Sequence, residues 1–344
     1  MEFASIHRNA REKSALARRI SAMQLMHALA SLRLTLVAIV ALGAGSAWIA
    51  VRPESSAFSA PLIVPLLVLA ANLLAALATH ATFRRQSALL VFHLCLLALV
   101  ILAALSRLTY LKGTVELGEG EAFQALNRQE HGIWHRNALP QVRFVNRGFV
   151  IDYLPGVKRN RTVNRVVWWD DDGVERQGEI GDQTPLVVRG YRFYTTFNKG
   201  FSALMRWEPT QGPPVVGRLN MPSYPLHAQN QTNEFRIEGL DSALWLMLKL
   251  DDNLIDPERV SRFRLPDRHE IVLRAGERQA VLQVGEALTL PDGRLRYLGL
   301  STWMGYSVFY DWTIPWLLAT SMVAVLALAW HFRLKFAAKP WRPI

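Results

Sequence analysis

Four long apolar stretches, three before and one after an extended polar region, dominate the hydrophobicity pattern of this 344-residue chain. They run Leu34–Val51, Pro61–Thr79, Ala88–Leu105 and Thr313–Phe332. Each approaches the roughly 20 residues that an α-helix needs to cross a hydrocarbon core, and none contains Asp, Glu, Lys or Arg. The pattern therefore predicts a membrane protein with four transmembrane helices, three N-terminal and one C-terminal.

The polar region between the third and fourth stretches is too long for a connecting loop, so it is predicted to be a folded domain. It is rich in Val, Tyr, Phe, Trp and Thr, and turn sequences such as Asn146-Arg147-Gly148 and Asp171-Asp172-Gly173 divide it. Strands are predicted at 141–146, 149–154, 162–169, 186–196, 280–284 and 294–300. Ser242–Leu250 has the only helical period, and the proline-rich stretch 204–233 is predicted to be a long loop. We expect a large antiparallel all-β domain with one or two short helices.

The distribution of charge predicts which side of the membrane each part occupies. The region from Leu111 to Trp312 holds 25 of the 39 basic residues and 25 of the 28 acidic ones, so it is neutral. The excess of basic residues lies before the first apolar stretch, at Arg84-Arg85 and after the last stretch. By the positive-inside rule, both termini are cytoplasmic and the large domain is extracytoplasmic, which is periplasmic in a bacterial inner membrane. Topology accounts for the net charge of +11, so nucleic acid is not an expected partner.

These observations divide the chain into five predicted parts. They are a cytoplasmic basic amphipathic segment (1–32), three transmembrane helices (33–110), an extracytoplasmic β-rich domain (111–311), a fourth transmembrane helix (312–333) and a cytoplasmic tail (334–344). The first segment is too long and too charged for a cleavable signal peptide. Residues 5–30 are predicted to form an interfacial helix that contacts membrane lipid.

The single cysteine, Cys95, lies within the third apolar stretch. The predicted extracytoplasmic domain therefore has neither a disulfide nor a Cys-x-x-Cys redox centre. Motifs for serine hydrolases, nucleotide-binding P-loops and calcium loops are missing from the sequence as well. We expect no catalytic residues, and we expect that the chain is not catalytic alone.

The sequence resembles the ResB-type cytochrome c biogenesis proteins, a family of the system II apparatus that attaches haem to cytochrome c. The resemblance depends on the order of spans and domain and on several local patches. These are Ser31-Leu32-Arg33, Phe92-His93-Leu94, Arg107-Leu108-Thr109, Gly118-Glu119-Gly120-Glu121 and Gly190-Tyr191-Arg192-Phe193-Tyr194. Asp182-Gln183, which precedes Thr184-Pro185-Leu186, departs from the family pattern, in which an Asn stands before this Pro-Leu pair.

The resemblance implies a haem-handling subunit of a cytochrome c synthase (haem lyase) complex. Its partners would be a CcsA-type polytopic membrane protein and apocytochrome c. Haem b would be bound transiently and shared with the CcsA-type partner, which would supply the remaining ligands. The role of this chain would be to assist haem delivery and to present apocytochrome c.

Three histidines are candidate haem contacts. His93 lies well inside the third apolar stretch, where an ionisable side chain is costly to bury, and imidazole is a common axial ligand of haem iron. A hydrogen bond to a neighbouring helix carbonyl is the alternative role for His93, although the resemblance favours the iron ligand. His80 directly follows the second stretch, and His331 is the second-last residue of the fourth. Both are candidate contacts for haem or its propionates.

Two other patterns have simpler structural interpretations. Trp168-Trp169-Asp170 is similar to part of the partner family's tryptophan-rich motif, but a strand with one Trp in the core and one outside explains it. Glu130, His131 and His135 have a metal-binding spacing only on a helix, which Gly132 and Pro140 disfavour.

Two classes of function remain. One is haem handling in cytochrome c maturation. The other is a membrane-anchored extracytoplasmic binding or assembly module of an envelope complex without haem, since four spans and a sheet domain suit both classes.

Overall fold

A computed structural model describes residues 23–51, 60–181, 183–222, 231–236, 243–250 and 254–337. These residues form two compact units. The first unit comprises the described residues up to Leu111, Glu130–Arg136 and the residues from Asp311 onward. The second unit comprises Lys112–Gln129 and Asn137–Tyr310.

The first unit is helical. Residues 23–29 are helical and are followed by α1 (Leu32–Val51), α2 (Ala60–Thr79), the short α3 (Ala81–Arg85), α4 (Ser87–Thr109) and α5 (Ile314–Ala337). The helices α1, α2, α4 and α5 are 20 to 24 residues long and apolar enough to cross a membrane. They confirm the four predicted spans. Residues 1–22, which include most of the predicted interfacial helix, lie outside the described residues.

Helix α4 is the centre of this unit, because it packs against both α2 and α5, while α1 packs against α2. Two polar contacts join the helices within the apolar packing. The buried side chain of Asn72 on α2 donates to the carbonyls of Leu29 and Ser31 and accepts from the Thr35 hydroxyl at 2.8 Å. Asn72 thus satisfies carbonyls where the chain turns into α1.

The second contact ties α5 to α4 through Asp311. Its Oδ2 accepts from the Ser106 hydroxyl at 2.6 Å, and its Oδ1 accepts from the backbone N–H and hydroxyl of Thr313. The Trp312 indole donates to the Thr109 hydroxyl at 2.9 Å. Asp311 therefore places the start of α5 beside the end of α4.

The second unit consists of antiparallel strands in three sheets, although Leu111 of β1 and the last two residues of β2 fall in the first unit. The strands are β1 (Leu111–Gly118), β2 (Arg128–His131), β3 (Phe144–Leu154), β4 (Lys158–Trp169), β5 (Glu175–Gly181), β6 (Leu186–Val188), β7 (Tyr191–Pro209), β8 (Val215–Asn220), β9 (Gln231–Phe235), β10 (Leu244–Leu250), β11 (Ser261–Phe263), β12 (His269–Ala275), β13 (Arg278–Leu282), β14 (Ala287–Leu290) and β15 (Gly293–Tyr310). The largest sheet has the order β2-β1-β15-β7-β6, with β14 on β15 and β8 on β7. The other two have the orders β13-β12-β10-β9 and β11-β3-β4-β5. The predicted antiparallel domain is confirmed.

A buried polar network lies in the core of this unit. The Asn164 amide donates to Asn146 Oδ1 at 2.8 Å and to the Gly148 carbonyl at 2.9 Å, and the Tyr306 hydroxyl donates to Asn164 Oδ1 at 2.8 Å. Asn146 in turn donates to the Leu117 carbonyl. Burial raises the pKa of Tyr306, so its hydroxyl stays protonated and available as a donor.

Several local predictions were wrong. Ser242–Leu250 is not helical where it is described, because Leu244–Leu250 forms β10 between β9 and β12. The Asn146-Arg147-Gly148 turn is a bulge within β3, with Gly148 at φ +84°. The predicted loop 204–233 contains the end of β7, all of β8 and the start of β9. Within it, 223–230 lie outside the described residues.

Candidate functional site

His93 lies in the second turn of α4 and is half-buried. Its Nδ1 is 2.8 Å from the carbonyl oxygen of Leu89, one helical turn earlier. A carbonyl only accepts, so this bond requires the proton on Nδ1. In the neutral ring the lone pair then lies on Nε2, the arrangement that metal-ligating imidazoles commonly have. Among the described residues, no group hydrogen-bonds to Nε2.

Aromatic rings surround the His93 imidazole. The Phe83 ring centroid is 4.5 Å away, and the Phe92 ring meets it edge-on at 5.3 Å. Phe83 is on α3, the short helix that reverses the chain between α2 and α4. These flat apolar surfaces suit a flat apolar ligand beside the imidazole.

His80 also lies near Phe83. It precedes α3, is exposed, and its ring centroid is 6.3 Å from that of Phe83. His80 and His93 are therefore both close to one phenyl ring.

His331 lines a cavity of about 440 Å³ between the start of α4 and the last turns of α5. The cavity is also lined by Leu89, whose carbonyl accepts the His93 hydrogen bond, and by the cationic side chains of Arg85 and Lys335. His331 is half-buried and packs against Phe332, with ring centroids 5.7 Å apart. The three predicted histidines thus lie around the first turns of α4.

The three histidines do not converge on one point. In the part of the chain that the structure describes, no group of three or more His, Cys, Asp or Glu side chains could hold a bare metal ion.

Residues 130–136 contact the other end of α4. The N–H groups of Gly132 and Trp134 donate to the carbonyls of Tyr110 and Leu108, and His135 Nδ1 is 2.8 Å from the Thr109 carbonyl. A Cβ on Gly132 would lie 2.2 Å from the Leu108 backbone, so only glycine fits. His131 and His135 have ring centroids 6.1 Å apart but lie on a strand and a loop, which agrees with the structural interpretation. This segment satisfies the terminal carbonyls of a membrane helix.

Trp168 and Trp169 end β4 immediately before the turn at Asp170–Gly173, as the sequence indicates. Both indoles are half-buried, however, so the expected division into one core and one outer Trp was wrong. Asp170 accepts from Arg176 at 2.8 Å and from the turn's N–H groups, contacts that hold its carboxyl pKa below the usual value. The tryptophan pair is part of this hairpin.

Sequence reasoning missed Phe83, Arg85 and Lys335. Arg85 and Lys335 were visible only as topology signals, since basic residues beside spans are ordinary. Phe83 follows His80 by three residues, a spacing that does not by itself indicate contact with a residue on another helix.

Four apolar helices with one large β-sheet unit inserted before the last define a polytopic membrane protein with a single large polar domain. The ResB-like family model matches residues 72–235, just under half of the chain, from α2 through β9. Over this region the chain is similar to the ResB-like family, and the match supports a role in cytochrome c biogenesis.

Among solved structures, the chain is similar to a protein titled cytochrome c heme lyase CcmF. The identity is 14%, the TM-score is 0.24, and the match covers 88% of this chain and 34% of that one. The chain thus spans about a third of that protein's length, and a TM-score this low does not establish a shared fold. No curated protein matches the chain.

Proposed function

We propose that this chain is a haem-handling membrane subunit of the system II cytochrome c maturation complex. It would assist haem delivery and the presentation of apocytochrome c, together with a CcsA-type membrane partner. The observation that carries this proposal is the 2.8 Å contact between His93 Nδ1 and the Leu89 carbonyl, which leaves Nε2 able to bind iron beside the Phe83 ring. The match of residues 72–235 to the ResB-like family model is the independent support.

His93 would be the axial ligand of a transient haem b, and His80 and His331 would contact the macrocycle or its carboxylates. A single imidazole from this chain would leave room for a ligand from the partner. A single protein ligand suits a site from which haem must later leave. When bound, haem would supply the iron and the vinyl groups that become attached to the client, while His93 would orient the macrocycle.

The extracytoplasmic domain would position the client without forming bonds itself. The only cysteine, Cys95, is buried on α4, so the domain cannot exchange disulfides with a Cys-x-x-Cys-His segment of apocytochrome c. This supports a non-catalytic subunit of a haem lyase complex.

A haem absorption spectrum tests the proposal. The full chain, purified in detergent after co-production with a CcsA-type partner, should show a Soret band at a stoichiometry that the partner alone does not reach. A chain that carries no haem, alone or with the partner, would instead support the haem-free assembly module.

The proposed topology places the start of α4 on the cytoplasmic side and the sheet domain in the periplasm. A reporter that is active only outside the cytoplasm should therefore be active when fused after Gly173 or Gly239 and inactive after Ile344. Activity of the Ile344 fusion would contradict the four-span topology.

A further inference from the structure

The cavity at the start of α4 is cationic. Arg85, His331 and Lys335 line it together with Gln86, Ser87 and Leu89, and no carboxylate lines it. Among the described residues, neither Arg85 nor Lys335 forms an ion pair. Two cations that face one cavity repel each other unless an anion lies between them. The cavity therefore has the charge of an anion site.

The cavity lies nearer the start of α4 than His93 does, and the helical register relates the two positions. Leu89 precedes His93 by four residues, so these two lie on one face of α4, and Gln86 is the residue immediately before the helix. At 1.5 Å per residue, the cavity lining begins about 6 Å from His93 along the helix axis and reaches about 10 Å. A ligand centred on His93 would therefore reach the cavity with its rim.

We propose that this cavity binds the two carboxylates of haem, with Arg85 and Lys335 as their ion-pair partners and His331 at the edge of the macrocycle. The inference rests on the proposed function, because it assumes that His93 ligates the iron. It adds that the carboxylate edge faces the basic end of the helices and the opposite edge faces into the bundle. The phosphate of an anionic phospholipid has similar chemistry and is the competing occupant.

Haem dimethyl ester, which lacks both carboxylates, separates these occupants. The full chain is placed in nanodiscs of zwitterionic lipid, either alone or with the CcsA-type partner, depending on which sample shows the Soret band. Haem and its dimethyl ester are then titrated in turn. We expect the ester to bind the wild-type chain about tenfold or more weakly, because charge-assisted hydrogen bonds are lost.

The double variant Arg85→Gln/Lys335→Gln should bind haem as weakly as the wild-type chain binds the ester, and its ester affinity should be unchanged. Arg333→Gln is the matched control, because Arg333 is an exposed cation at the same end of α5 that does not line the cavity. It should preserve the wild-type preference for haem over the ester.

Equal affinities of the wild-type chain for haem and ester would overturn the inference while leaving haem binding intact. So would a double variant that loses both ligands equally, since that indicates general damage to the site. A double variant whose only change is a smaller thermal stabilisation by anionic phospholipid would assign the cavity to lipid instead. Absence of any haem binding to the wild-type chain would count against the proposed function itself.

Discussion

Replacing His93 with alanine should lower the haem that copurifies with the complex by about tenfold or more and reduce cytochrome c maturation accordingly. Loss of a residue that merely orients a metal ligand commonly costs 10–100-fold in metal affinity, and loss of the ligand itself should cost at least as much. The visible absorption spectrum of the purified complex and the yield of covalently attached haem measure the two effects. Added imidazole should partly restore the bound haem by occupying the vacated position.

The abundance of the His93→Ala protein should stay close to that of the wild type. Side-chain hydrogen bonds between membrane helices contribute only about 0.6 kcal/mol on average, and the Nδ1 bond to Leu89 within one helix should contribute no more. Leu94→Ala is a suitable control, because Leu94 is the next residue on α4, is 47% exposed, and should face lipid. Normal haem content in His93→Ala would show that His93 is not an iron ligand and that its role is limited to the hydrogen bond to Leu89. If His80 and His331 variants also kept their haem, this chain would have no direct role in binding it.

Replacing Asn164 with alanine should lower the free energy of unfolding of the sheet unit by about 3 kcal/mol or more. The change removes the acceptor of the Tyr306 hydroxyl and the donor to Asn146 and Gly148, all within a core where water cannot replace them. Each unsatisfied buried polar group costs about 1–3 kcal/mol. Resistance of the full-length protein to proteolysis under increasing denaturant measures this loss.

Asn127→Ala is the matched control for Asn164→Ala. Asn127 also accepts a hydrogen bond, from the Glu116 N–H at 2.9 Å, but it does so at the surface, where water can substitute. Its loss should cost about 0.5 kcal/mol or less. Tyr306→Phe should fall between the two variants, because it removes one hydroxyl and leaves the Asn164 amide bonds to Asn146 and Gly148. Equal sensitivity of the Asn164 and Asn127 variants would contradict a structural role for the buried network.

The membrane helices were readable from the sequence because a span satisfies its own backbone hydrogen bonds and needs only length and apolarity. The predicted stretch Pro61–Thr79 differs from α2 by one residue at its start. The stretch Thr313–Phe332 ends five residues before α5 does, at Ala337, because Arg333 and Lys335 interrupt the apolar pattern without interrupting the helix. Charged side chains near a helix end can reach polar surroundings while the backbone stays helical.

Strands were harder to place, because a strand depends on partners distant in the sequence. The run from Leu244 to Leu250 has apolar residues at helical spacing, yet pairing on both sides with Phe235–Gln231 and Ala275–His269 makes it a central strand. The local sequence of residues 204–220 does not indicate a hairpin with Gly212 in the turn, and its prolines favour a loop instead. Here tertiary pairing overrides local propensity.

The sequence by itself determined that His93 is an ionisable group within an apolar helix, and hence a candidate ligand. Only the tertiary structure decided that its Nδ1 contacts the Leu89 carbonyl, that Phe83 contacts its ring, and that Arg85 and Lys335 line one cavity at the start of α4. Composition and helical period report on one segment at a time, whereas these contacts join α3, α4 and α5. Arg85 and Lys335 are 250 positions apart in the chain, and only the packing of α5 against α4 brings them together.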